Sequence, residues 1–208
     1  MICTSIIERN IDKCIKILKQ CEMAELRLDR IQPEPNAVKQ LMSLKIPVIA
    51  TCRAGIYNDD KRLELLTIAV QNGAAYIDIE LESNEHYKKQ LIDLARSCNC
   101  KIIISYHNYN ETPDVCTLKS IVAQAGTFNP DFVKIATRAL SIEDNYAILS
   151  LYETEKNLIA FTMGKLGKKS RIKSLQLGSP FIYASYTKKQ QAAEGQFTMN
   201  ELKKILER

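Results

Sequence analysis

Eight short runs rich in β-branched residues recur along the chain, and each is followed by a longer stretch with helical periodicity. The strand candidates begin near Ile2, Met23, Pro47, Tyr76, Cys100, Asp131, Asn157 and Phe181. Between them, Asp60 to Asn72 carries Leu63, Leu66, Ile68 and Val70 near one face, and Asn84 to Ser97 repeats Tyr87, Leu91 and Leu94 at helical spacing. Thr112-Pro113 ahead of Val115 reads as a helix cap followed by a first-position proline. Thr198 with Glu201 reads as a capping box for a last helix near Thr198 to Glu207. Strict alternation with short connections requires parallel strands joined by crossover helices. Eight such units in 208 residues leave about 26 for each. With no linker to divide them, they predict a single (β/α)8 TIM barrel over residues 1–208, near the lower size limit of that fold. An open doubly wound sheet is the alternative, but no G-x-G-x-x-G or phosphate-binding loop follows any strand.

Composition narrows the function classes. The seven cysteines are odd in number, scattered, and mostly inside apolar runs such as ICTSII and VIATC, as in a reduced cytoplasmic protein. No apolar run approaches the ~18 residues of a membrane span, and MICTSIIERN has neither the basic start nor the cleavage site of a signal peptide. The net charge of +5 arises from 29 Lys and Arg interleaved with 24 Asp and Glu; only Lys165 to Lys173 is locally one-signed. That dilution argues against a nucleic-acid face. Cys98-Asn99-Cys100 has no second cysteine pair and the chain holds two histidines, so no zinc set is expected.

Strands of a parallel barrel are covered on both faces and should be apolar throughout. Polar residues within them therefore need a reason. In MAELRLD, Glu25, Arg27 and Asp29 alternate with leucines and point to one face; Tyr76, Asp78, Glu80 and Glu82 do the same in YIDIELE. A half-exposed strand would explain either one alone. A barrel interior that becomes polar toward its open end explains both. Lys134, between Val133 and Ile135, is the sharpest anomaly, because a buried ammonium costs several kcal/mol. It is either paired with a carboxylate such as Glu25 or Asp78, or a neutral nucleophilic amine whose pKa is lowered by burial and by cations, with Arg27, Arg53 and Arg171 as candidates. His107 closes the fifth strand, at the barrel end where βα-loops carry chemistry, in the unit adjacent to that of Lys134. His86 opens a helix among polar residues and reads as a surface side chain. Gly164 and Gly167 flank a basic loop before Ser170 and Arg171, which taken without context reads as solvated.

Taken in order, AELRLD, ATCR, YIDIELE, IIISYHNYNETP, DFVKIAT, FTMGKLGKKSRI and AAEGQFTMNEL resemble the type I 3-dehydroquinate dehydratases over nearly the whole chain. The resemblance implies a (β/α)8 barrel and dehydration of 3-dehydroquinate to 3-dehydroshikimate in the shikimate pathway, by syn elimination through an imine, without metal or cofactor. It also implies a cytoplasmic enzyme, often a homodimer, with a small-molecule substrate and no nucleic-acid or membrane partner. Lys134 matches the imine-forming position and His107 the general acid and base. Arg171 matches the residue that anchors the substrate carboxylate, and Glu25, Arg27, Arg53 and Gln196 match further substrate-binding positions. Asp78, Met163 and Ala192 fall on supporting positions.

Three departures from the family pattern stand out. The acid and two glycines that commonly follow the third-strand arginine are replaced by AGIYNDD, leaving Asp59 or Asp60 to orient the histidine only if the loop folds differently. The common S-A-P-G-Q is Ala192-Ala193-Glu194-Gly195-Gln196, which removes a serine hydroxyl from the substrate. The chain opens directly on its first strand, without the N-terminal hairpin many members place over the barrel floor, so that floor is expected to be open or covered by a neighbouring subunit. Two other readings compete: a class I aldolase or transaldolase acting on a sugar phosphate, and a non-enzymatic polyanion binder using KLGKKSRIK.

Overall fold

Each strand is short, all but one carry β-branched residues, and each is buried through its middle. β1 (Ile2–Ile6), β2 (Met23–Arg27), β3 (Val48–Thr51), β4 (Tyr76–Glu80), β5 (Lys101–Asn108), β6 (Phe132–Arg138), β7 (Leu158–Met163) and β8 (Ile182–Ser185) are parallel throughout. A computed structural model describes residues 1–207. Helices α1 (Ile11–Leu18), α2 (Leu28–Ile31), α3 (Pro35–Met42), α4 (Asp59–Gln71), α5 (Glu85–Ser97), α6 (Val115–Gly126), α7 (Glu143–Ser150) and α8 (Gly164–Gln176) make the crossovers. A ninth strand, β9 (Phe197–Thr198), pairs with β8 and leads into α9 (Met199–Leu206), where Thr198 and Glu201 form the expected capping box. Among the described residues no helix is long and apolar enough to cross a membrane.

The sheet order is β7-β6-β5-β4-β3-β2-β1-β8-β9, so the alternation yields a curled, TIM-barrel-like sheet with β7 and β9 at its edges. Full hydrogen-bonded closure, as expected of a (β/α)8 barrel, does not occur: β7 and β8 face one another without a ladder. Aromatic side chains occupy that seam, with the rings of Phe161 and Tyr183 6.3 Å apart, and the Gly164 N–H donates to the Glu194 carbonyl across it at 3.1 Å.

Two local expectations change. The helix after β5 starts at Val115 and is capped by Asp114, whose carboxylate accepts from the Thr117 N–H; Thr112 instead bonds Thr137 and the Arg138 carbonyl. Asp114, two residues closer to the helix than Thr112, takes the cap position instead. The basic stretch after β7 is no solvated loop but the first turns of α8. Gly164, at φ +84°, turns the chain directly from strand to helix, and Gly167 brings that helix onto Thr162. Lysines cover the outer side while Ser170 and Arg171 are buried.

The inward residues form levels. Phe181 packs edge to face with Tyr76 and Phe132 at the amino-terminal end, and Cys3, Met23, Ile49, Ile103 and Ile159 join them in the inner apolar cluster. Polar side chains follow toward the carboxyl ends of the strands. A β-carbon on Gly167 would lie 2.6 Å from the Thr162 carbonyl group, closer than real contacts allow. Gly167→Ala should therefore destabilise the protein by about 1–3 kcal/mol in denaturant titration. An unmoved midpoint would show that α8 is free to slide.

Candidate active site

The register of the sheet sets the site. Ser5 is level with Glu25, Thr51 with Asp78, and Ser105 with Lys134. Strand periodicity turns all six toward the interior. His107 lies one inward step above Ser105 and level with Ala136, so the histidine and lysine project into one space from adjacent strands.

Asp78 is the hub. Its Oδ2 accepts from Arg53 Nη2 at 2.7 Å and from Lys134 Nζ at 3.0 Å, and its Oδ1 accepts from Ser105 at 2.6 Å. Burial alone would raise its pKa, but Arg53 and Lys134 outweigh that and hold it well below the carboxylate range. Glu25 accepts from Ser5 at 2.7 Å and from Thr51 at 3.1 Å, and lies 3.8 Å from Lys134 Nζ. Lys134 is thus buried among two carboxylates, with its ammonium 4.3 Å above the Tyr183 ring. Burial works against the charge on Arg53 as well, yet Asp78, Glu80 and Glu25 keep its pKa above that of a free guanidinium.

The pocket at the carboxyl ends of the strands is lined by Glu25, Arg27, Arg53, His107 and Lys134, and by Met163, Arg171, Ala192 and Gln196. Asp78 stands beside it through its bonds to Lys134 and Arg53. Arg27 is clasped by Asp29 at 2.7 and 2.9 Å. That aspartate belongs to α2 rather than continuing the β2 alternation, because the strand ends at Arg27. Gln196 donates to Ser5 at 3.3 Å and accepts from the Ala192 N–H at 3.0 Å, which folds the AAEGQ segment over the pocket.

Two groups stand apart from this balanced network. His107 makes no side-chain hydrogen bond among the described residues and stacks on Tyr109. Burial, with Arg53 and Lys134 nearby, holds its pKa well below the usual imidazole value, so the ring is neutral near pH 7. Arg171 is 2% exposed, its Nε and Nη2 have no hydrogen-bond partner, and its guanidinium lies over the Phe161 ring at 4.3 Å. Burial alone brings its pKa down to about 10. A buried, unpaired cation on a pocket wall has the chemistry to pair with an anion.

The type I 3-dehydroquinase profile matches residues 2–208. The 3-dehydroquinate dehydratase of Pyrococcus abyssi is 36% identical over 214 residues, covering 99% of this chain and 97% of the relative. The chain belongs to the type I 3-dehydroquinases. That of Methanococcus maripaludis strain C6 is 35% identical over 218 residues, covering 100% of this chain and 99% of its own. Among solved structures, the 3-dehydroquinate dehydratase of Aquifex aeolicus superposes with a TM-score of 0.85 at 28% identity, covering 99% of this chain and 96% of its own. A 3-hexulose-6-phosphate synthase aligns at 0.60 with 12% identity over 93% of this chain and 94% of its own, a likeness of fold alone.

Sequence reasoning missed several contributors. Ser105 bridges Arg53 and Asp78, Ser5 seats Glu25, and Tyr183 forms the wall beneath Lys134. Their one available signal was strand parity: Ser105 is two residues before His107, and so on the same face. Asp59 is turned to Arg62, at 2.7 Å, rather than hydrogen-bonded to His107.

The Asp78 hub gives a stability prediction. Asp78→Asn strands Arg53 and Lys134 and should cost about 3–5 kcal/mol at pH 7. Because the folded pKa of Asp78 is depressed, its contribution is complete above the unfolded value near 3.9 and is lost only as pH falls through the lower folded value. Urea titrations should therefore show nearly the full gap between wild type and variant down to about pH 4. A gap that closes by pH 6 would contradict the assignment.

Proposed function

We propose that this chain dehydrates 3-dehydroquinate to 3-dehydroshikimate through an imine on Lys134, with His107 as general base and then general acid. The observation that carries the reading is the Lys134 amine, seated in a pocket that also holds a neutral imidazole and an unpaired buried guanidinium. Family membership supports the overall reaction, and the residue roles rest on the geometry and on the motif positions.

Lys134 first passes its ammonium proton to the neutral His107, the freed amine attacks the C3 ketone, and the His107 imidazolium returns that proton to the carbinolamine hydroxyl, which leaves as water to give a protonated imine. His107 then takes the C2 proton, and the C2–H electron pair moves into the imine system to give an enamine. The resulting imidazolium donates that proton to the departing C1 hydroxyl, which leaves as water while the enamine electrons form the C1–C2 double bond. Hydrolysis of the conjugated imine releases product and amine. A neutral imidazole suits the first transfer and its conjugate acid the second. Arg171 holds the C1 carboxylate through its guanidinium fork. Glu25, Arg27, Arg53 and Gln196 contact the ring hydroxyls, Asp78 balances the charge at Lys134, and Met163 and Ala192 shape the wall.

Borohydride added with dehydroquinate should fix a mass adduct on Lys134, and Lys134→Ala should abolish turnover with the fold retained. An adduct elsewhere, or retro-aldol turnover of a sugar phosphate with no response to dehydroquinate, would favour the aldolase reading. Since His107 must be unprotonated to act, kcat/KM should fall only as pH drops through a value below about 6.5. A fall already centred above pH 7 would exclude His107 as the base.

Arg171→Met should raise KM by roughly 10- to 100-fold, the worth of a charged hydrogen bond. It should leave the unliganded protein at least as stable as wild type, because an uncompensated buried charge is removed. A destabilised variant with unchanged KM would place Arg171 in the scaffold instead.

A further inference from the structure

The loop after β3 lacks the family's acid and glycines, yet Arg53 is held closely. The support comes from α4. Arg62 is 2% exposed, although it lies in a helical segment rich in charge. Its Nε donates to the Cys52 carbonyl at 3.0 Å, its Nη2 to Glu80 Oε2 at 2.8 Å and its Nη1 to Asp59 at 2.7 Å, and its guanidinium lies over the Tyr87 ring. The same Glu80 oxygen accepts from the Ala54 N–H at 3.0 Å. Cys52 and Ala54 flank Arg53, so one part-buried ion pair ties the backbone immediately before and immediately after the arginine.

We propose that Arg62 is a positioning residue for this reaction: with Glu80 it fixes the backbone on both sides of Arg53 and so sets how Arg53 grips Asp78. The consequence runs through one oxygen. Asp78 Oδ2 is shared between Arg53 and Lys134, so a displaced Arg53 leaves the carboxylate paired to Lys134 alone. Displacement also removes a cation from the surroundings of His107. The charged groups that face His107 are Arg27 at the end of β2, Arg53 after β3, Asp78 on β4 and Lys134 on β6; Asp59, Arg62, Glu80 and Glu82 line the adjoining cleft. Of the cations, Arg53 opposes imidazole protonation most strongly. The inference rests on Lys134 and His107 being the reacting groups.

The test compares Arg62→Met, Arg62→Lys and Asp59→Asn by circular dichroism, by the pH profile of kcat/KM and by borohydride trapping with dehydroquinate. Arg62→Met keeps much of the buried volume and should lower kcat/KM by roughly a hundredfold, the scale of a small misplacement at a reacting centre. Its acid limb should move to higher pH. Arg62→Lys retains a cation opposite Glu80 without the second arm to the Cys52 carbonyl, and should shift the limb in the same direction by less. Asp59→Asn, which removes the solvent-side partner of Arg62, should match wild type in both readouts. If Arg62→Met does not fold, Arg62→Lys carries the comparison. Activity losses that only track the folded fraction, with the acid limb unmoved, would make Arg62 purely structural and overturn the proposal. So would a limb that moves in Asp59→Asn and not in the Arg62 variants, since Asp59 would then be the residue that governs His107. Absence of a Lys134 adduct in wild type would instead sink the underlying imine reading, whereas a wild-type adduct with an unmoved limb sinks the Arg62 inference alone.

Discussion

One carboxylate oxygen, Asp78 Oδ2, accepts from both Arg53 and Lys134, and the polar interior is arranged around that sharing. Removing an ammonium and a guanidinium from water costs several kcal/mol each unless the partners are close and the remaining polar atoms are satisfied. Here the partners are close: Glu25 and Asp78 balance Lys134 and Arg53, Ser5 and Ser105 donate to the carboxylate oxygens that face away from the cations, and Thr51 donates to the Glu25 oxygen nearer Lys134. The network can be buried because it is neutral as a set. It is also asymmetric, because Arg53 is held by its own backbone supports while Lys134 stands at the end of a flexible stem.

The curled sheet makes that network possible. Parallel strands of similar register bring equivalent inward positions to the same level, so an aromatic floor, an apolar level and a polar level stack in order. The polar residues lie at the carboxyl ends because there the chain leaves the ladder and the loops can add groups from outside it. Arg171 arrives in that way from α8, admitted by two glycines that allow the helix to start at once and to lie against Thr162. Gln196 arrives from the segment that crosses the open seam between β7 and β8. The missing ladder there leaves room for that segment to bond Gly164 directly.

What could be read from residues alone follows the same division. Alternation of strands and helices gave the architecture, and polar residues at every second position of MAELRLD and YIDIELE announced a polar interior. Lys134 was conspicuous because a lysine inside DFVKIA has no cheap explanation. Closure was not readable, because which strand edges pair is decided by tertiary packing and leaves no mark in the residues of β7 or β8. The basic run after β7 misled for a related reason: four lysines from Lys165 to Lys173 describe the solvent side of a helix, while the buried side is carried by Gly167, Ser170 and Arg171. Arg62 gave no signal, since an arginine beside two aspartates on a helix ordinarily lies in solvent. Only its tertiary partners, a carbonyl and a carboxylate from two different strand ends, distinguish it.

Charge counting around the pocket connects this scaffold to the chemistry. Arg27 is matched by Asp29, Arg53 by Asp78, Lys134 by Glu25 and Arg62 by Glu80, and His107 is neutral. Arg171 alone is left unmatched. Of these cations it is the one that a substrate carboxylate would pair in the proposed reaction. The burial that makes Arg171 costly in the free protein is the same burial that holds His107 below its ordinary pKa. A more solvated pocket would relieve the arginine but return the histidine toward its ordinary pKa, so that more of it would be protonated near neutrality and unable to accept a proton. Carboxylate binding and the unprotonated fraction of His107 near neutral pH, the two quantities the proposed reaction needs, are thus set by one property, the exclusion of water, and a change that relaxes it should lower both together.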